Sequence, residues 1–240
     1  MGSRPNQREG PLRLHLGCGE IYLDGYVNVD AYPSPKAPRP PDRILRVEDV
    51  DYEPGSVDEI YTAHVVEHLS RDEVLRALPR WHRVLRPGGL LTIEVPDAEA
   101  IMRRLLAQRR EEDKDLYYYL LLGTQETPGE FHKGGYTFPR LRRLLTAAGF
   151  VEFVDGRREP NRIENRMALH MYKPRQWRAV LLECRKPQAG TQPDTAQLRR
   201  LLFFAYDMQD LPVARLRGRL ARALPFGTRV AELWRALVRR

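Results

Sequence analysis

The chain alternates short apolar runs with polar stretches rich in glycine and proline. Leu12–Leu16, Val27–Asp30, Asp42–Val47, Val57–Tyr61, Leu90–Pro96, residues 150–155 and residues from about 177 to 185 are such runs. Each is a handful of residues long, largely aliphatic, and bounded by turn formers, which predicts strands of a buried sheet. The stretches between several of them repeat apolar residues at helical spacing. A helix before Leu85 puts Trp81, Val84 and Leu85 on one face. Ala98–Arg110 does the same with Ile101, Leu105 and Leu106, and Phe138–Ala148 is a third helix, stopped by Gly149. Strands interleaved with helices predict an α/β fold with a doubly wound, mostly parallel seven-stranded sheet.

The first strand ends in Gly17-Cys18-Gly19, and the second ends in Asp30. Glycines let a ligand approach the main chain, because no side chain intervenes. An acid at the end of the next strand can accept hydrogen bonds from a ribose diol. Tyr22 stands where the phosphate fingerprint G-x-G-x-x-G needs its last glycine, and no Gly-Lys-Ser/Thr follows. The loop therefore suits a ligand with a ribose and no phosphate, and S-adenosylmethionine (SAM) is such a ligand.

The order of motifs resembles that of the class I SAM-dependent methyltransferases over roughly residues 12–185. The matching stretches are LHLGCGE (14–20), VNVD (27–30), GSVDEIYTAHVVEHL (55–69), VLRPGGLLTIEVPD (84–97) and LRRLLTAAGF (141–150). Within that superfamily the chain looks most like small bacterial enzymes of glycan and natural-product modification. The resemblance implies a Rossmann-like methyltransferase fold, SAM as cofactor, and a cofactor site at Leu16, Gly17, Cys18, Gly19, Asp30 and Ala31. It also implies an adenine contact near Val47 and Glu48, through backbone more than side chain, and places His64 near the methyl donor.

Composition refines this picture. The 240 residues suit one domain plus an appendage, and 42% are apolar. Residues 1–10 read as a disordered N-terminus, 11–187 as the methyltransferase domain, and 188–240 as a basic helical extension. Two cysteines, Cys18 and Cys184, suggest neither a disulfide framework nor a zinc site, and fit a cytoplasmic setting. No run reaches the ~20 apolar residues of a membrane span. The formal charge is +8, and the segment from Thr191 holds ten arginines against four acids. Leu198–Phe204 and Val213–Leu224 there read as amphipathic helices. Val213, Leu216, Leu220 and Leu224 share a face, which can pack on the domain, join a second subunit in a homodimer or rest on an anionic membrane as a peripheral contact. Nucleic acid is the less favoured partner, since the tail has few aromatics to stack on bases.

Residues 111–136 interrupt the pattern beside the expected methyl donor. Aromatic and polar groups on glycine-rich loops suit a polyhydroxylated acceptor, either a small molecule or a glycan. Tyr118, Gln125, His132, Lys133 and Tyr136 are the candidate acceptor contacts. The proline-rich segment Pro33–Pro41 reads as a linker replacing a helix. His64, Glu67 and His68 are spaced to share one face of a helix. They resemble the Glu-x-x-Glu-His array of metal-dependent O-methyltransferases, with His64 in place of the first Glu, which implies a divalent ion (Mg²⁺ or Mn²⁺) with His132 as a further ligand. Without a metal, His132, His68 and Asp97 are candidate bases. Asp97 also sits where a helix N-cap belongs. The function expected is SAM-dependent O-methylation of a hydroxyl on a sugar, an oligosaccharide or polysaccharide precursor, or a secondary metabolite. The alternatives are an RNA methyltransferase and a non-catalytic partner subunit.

Overall fold

The computed structural model describes residues 10–127, 129–165, 167–168 and 179–203. Residues 1–9 of the expected disordered start, His170 and the helix at 213–224 lie outside the described residues.

Seven strands form one sheet: β1 (Arg13–Leu16), β2 (Val27–Asp30), β3 (Arg43–Ile44), β4 (Val57–Ala63), β5 (Leu85–Pro96), β6 (Val151–Asp155) and β7 (Ala179–Arg185). Their order is β3-β2-β1-β4-β5-β7-β6, parallel except for β7, which runs against both of its neighbours. The carboxyl ends of β1, β2, β4, β5 and β6 therefore share one edge, and the chain reverses its strand order between β1 and β4. Crevices at such a reversal are where ligands bind in open α/β sheets.

The helices are α1 (Arg71–Val84), α2 (Ala98–Ala107), α3 (Asp115–Leu122), α4 (Phe138–Ala147) and α5 (Thr195–Phe203). α1 starts on a capping box, in which Ser70 and Glu73 satisfy each other's backbone amides. It buries Val74, Leu78, Trp81 and Val84 in one core with Leu14, Leu16, Ile60, Leu91 and Ile93 from one face of the sheet. α5 packs on α1 and α4. The opposite face carries a smaller cluster of Leu23, Tyr61, Ile163, Ala168 and Leu181. Buried polar groups on that face are paired: His15 stacks on Tyr61 with ring centroids 5.3 Å apart and bonds to Asn28. The crossovers from β1 to β2 and from β2 to β3 carry no helix.

Several boundaries differ from the sequence expectation for physical reasons. β3 is two residues long, because a 3-10 turn at Val47–Asp49 bends the chain away. β5 begins at Leu85: Pro87, Gly88 and Gly89 lie inside the strand across a register shift opposite Val57 and Glu59. The helix after Asp97 stops at Ala107. The insertion contains α3, which a run of tyrosines and leucines without amphipathic contrast conceals in sequence. α5 starts at Thr195, one turn early, because Asp194 accepts from the amide of Gln197.

Candidate active site

β1 delivers the chain into a loop whose amides fold back on β2. Gly17 N–H and Cys18 N–H both donate to the Val29 carbonyl, at 2.8 and 3.2 Å. Gly17 and Gly19 take φ of +70° and +52°, a region that L side chains rarely adopt. A Cβ on Gly17 would lie 2.1 Å from Cγ2 of Val65, so only glycine fits there. The Leu16 side chain is fully buried in the core. Asp30 turns inward. One carboxylate oxygen accepts Gly19 N–H at 2.7 Å and the other accepts Tyr32 N–H at 2.8 Å, either side of Ala31. Each oxygen keeps a further lone pair for a diol. Burial and the Asp30 charge push the Cys18 thiol up to about 12, so it remains protonated and unreactive.

On the expected adenine side, the groups near Val47 and Glu48 have partners of their own. The Val47 carbonyl accepts the Trp81 indole N–H at 2.8 Å. The Glu48 carboxylate is buried against Arg46 at 2.5 Å and Arg76 at 3.7 Å. The Glu48 side chain is thus engaged within the protein, in keeping with the expectation of a contact through backbone more than side chain.

At the end of β4 the chain passes through His64, a non-glycine residue at φ +54°, and turns through Val66–His68. Such strain persists where surrounding bonds hold it. The amide of His64 donates to the Glu94 carbonyl, while its ring nitrogens face Glu67 at 3.2 Å and Glu94 at 3.5 Å. Burial opposes a charge here, but the two carboxylates outweigh it and push the imidazole up to about 10. Its ring stands outside the group of ligand atoms that converge within 4.8 Å among the described residues.

His132 takes the place expected of His64. Ligand atoms of Glu67, His68 and His132 all lie within 4.8 Å of one another. The rings of His68 and His132 meet edge to face, with centroids 4.7 Å apart. Backbone bonds create this approach. Lys133 N–H and Gly134 N–H both donate to the Glu67 carbonyl, at 2.7 and 3.0 Å, which ties the insertion to the turn after β4. Glu67 is 1% exposed, yet its Oε2 has no hydrogen-bond partner, and neither has Nδ1 of His68. Burial lowers the pKa of His68 against the pull of Glu67, so its ring is neutral at neutral pH.

Asp97 caps α2 through Ala100 N–H at 3.1 Å and binds Arg157 through its other oxygen at 2.6 Å. Asp97 therefore fills the N-cap position expected of it, and its second oxygen is tied to Arg157. Of the other acceptor candidates, Lys133 is half exposed and 3.6 Å from Glu73. Tyr118 is exposed on α3, and Gln125 is exposed and bonds the Leu122 carbonyl. Tyr136 is 3% exposed; its phenol is pushed up by burial, its backbone bridges Asp97, and its ring is core. It offers no free face for stacking. Arg157 had no sequence signal, because its partner lies 60 positions away.

Residues 14–93 match a family model described as a methyltransferase domain. The match covers a third of the chain and spans the glycine loop, Asp30 and the Glu67-His68 turn. No curated protein matches the chain in sequence. Among solved structures, a protein from Bordetella parapertussis described as a possible exported protein is 16% identical over 75% of this chain and 63% of its own, with a TM-score of 0.48. A SAM-dependent methyltransferase from Thermotoga maritima, described as a possible histamine N-methyltransferase, is 17% identical over 74% of this chain and 83% of its own, at 0.47. The Burkholderia thailandensis 1,6-didemethyltoxoflavin-N1-methyltransferase, solved with its substrate and S-adenosylhomocysteine, is 18% identical over 74% and 72%, at 0.44. Likenesses this distant carry nothing about the acceptor.

Proposed function

We propose that the protein transfers a methyl group from SAM to a hydroxyl of a sugar, glycan precursor or secondary metabolite, with a divalent ion at Glu67, His68 and His132. The observation that carries this reading is the buried, unpartnered Glu67 Oε2 beside two imidazoles at the sheet edge where the Gly17–Asp30 loop opens. A buried polar atom without a partner is costly, and a cation supplies one. A carboxylate with two imidazoles suits Mn²⁺ better than Mg²⁺, which prefers oxygen. Such an ion would lower the pKa of an acceptor hydroxyl. Asp30 and the loop amides hold the adenosyl group. The insertion orients the acceptor above Glu67, and alignment of oxygen and methyl carbon supplies much of the rate. The free, buried Cys18 and Cys184 support a cytoplasmic setting.

Calorimetry on the full chain tests the parts separately. SAM binds with or without metal, and Mn²⁺ binds in wild type but at least about tenfold more weakly in His132→Ala, as expected on loss of one of three ligands. Labelled SAM with a panel of hydroxyl acceptors loses turnover on chelation and regains it with Mn²⁺. Turnover indifferent to chelator would remove the ion from the proposal, and absence of SAM binding would remove the whole.

A further inference from the structure

A second feature lies along α4, outside the cofactor loop and the Glu67 cluster. A groove of about 550 Å³ is lined by Phe138, Arg142, Arg143, Arg157, Arg158 and Asp155, among others. Four guanidiniums face one carboxylate. Arg157 and Arg158 lean toward Asp155 at 3.9 and 3.7 Å. Arg142 and Arg143 make no ion pair with a carboxylate among the described residues; Arg142 lies over the Phe153 ring at 5.5 Å. Holding so many like charges along one cleft costs energy unless water or an anion screens them.

The groove and the cluster share one piece of chain. From His132 in the cluster, the backbone runs through Tyr136, which bridges Asp97, into α4 with Arg142 and Arg143. Asp97 in turn holds Arg157 from the groove. Asp97 and the chain from His132 into α4 thus connect the two sites.

We propose that the groove binds the phosphate-bearing part of the acceptor, an organic diphosphate, while the hydroxyl to be methylated reaches the cluster. This rests on the methyltransferase reading and narrows its substrate class to diphosphate-activated sugars and their like. Guanidinium forks match phosphate oxygens in pairs. The volume is that of a small-molecule site. The groove has one aromatic lining residue, Phe138, and so lacks the stacking platforms that single-stranded RNA uses.

The probe is inorganic pyrophosphate, titrated into the full chain by calorimetry with S-adenosylhomocysteine present. Wild type is expected to bind, and the double variant Arg142→Ala/Arg143→Ala to bind about ten- to a hundredfold more weakly, as for loss of charge-assisted bonds. Both side chains are exposed, so the fold should persist, and unchanged S-adenosylhomocysteine affinity confirms it. Arg143→Lys with Arg142 intact should keep most of the affinity. Absence of pyrophosphate binding in wild type, or equal affinity in wild type and double variant, would overturn the proposal. So would single-stranded RNA binding that depends on the two arginines and is not displaced by pyrophosphate. Loss of SAM binding with pyrophosphate binding retained would instead sink the methyltransferase reading alone.

Discussion

The two halves of the site are built in different ways. On the donor side a few neighbouring residues suffice: two glycines at positive φ, and Asp30 bonded to the amides of Gly19 and Tyr32. On the acceptor side, His132 reaches His68 only because the insertion amides clamp the Glu67 carbonyl. The cofactor, common to many reactions, is met by local backbone. The proposed acceptor side is built from contacts between distant parts of the chain. Changes to the donor loop should therefore fail by sterics, and changes to the acceptor side by lost chemistry with the fold intact.

The largest expected effect is that of Gly17→Val. Its side chain would collide with Val65, so SAM affinity should fall beyond detection and stability drop by roughly 1–3 kcal/mol from the strained φ alone. Calorimetry and thermal unfolding read both. Next is His132→Ala, for which turnover should fall about 100-fold or more while SAM affinity stays within a factor of two. A parallel loss of SAM affinity would erase the proposed division between the halves. Asp30→Asn comes third, with SAM binding about tenfold weaker because a neutral amide accepts less strongly from a diol. Asp97→Asn should keep its cap and leave turnover within a few-fold; a drop of two orders would identify Asp97 as the base.

The smallest effect belongs to neither half. His82 is 3% exposed, and burial, joined by the Lys186 charge, holds its pKa at about 4. The unfolded chain binds this proton more readily, so stability is lost as pH falls from about 6.5 toward 4. His82→Phe should flatten that acid limb in thermal melts and leave the donor and acceptor readouts unchanged at neutral pH.

What was legible in the sequence follows the same division. The strands, the glycine loop and Asp30 are local patterns, and the structure keeps them. The Glu67-His68 pair was visible, but its third member was not separable from His64, because helical spacing was assumed where a left-handed residue and a 3-10 turn stand. Tyr136 was read as an acceptor contact by residue type, and its backbone bridge to Asp97 buries it instead. The partners of Val47 and Glu48, which are Trp81, Arg46 and Arg76, were not legible either. Spacing along a chain carries no sign of such partners.

The clamp on the Glu67 carbonyl has a consequence for how this molecule can diversify. Its donors, Lys133 and Gly134, come at the very end of the inserted segment, next to His132. The amide of His132 itself donates to the Leu122 carbonyl at the end of α3, at 3.0 Å, so the imidazole is held from both ends of the inserted segment. A segment grafted into this stretch must therefore keep a carbonyl where Leu122 stands if it is to leave His132 beside His68.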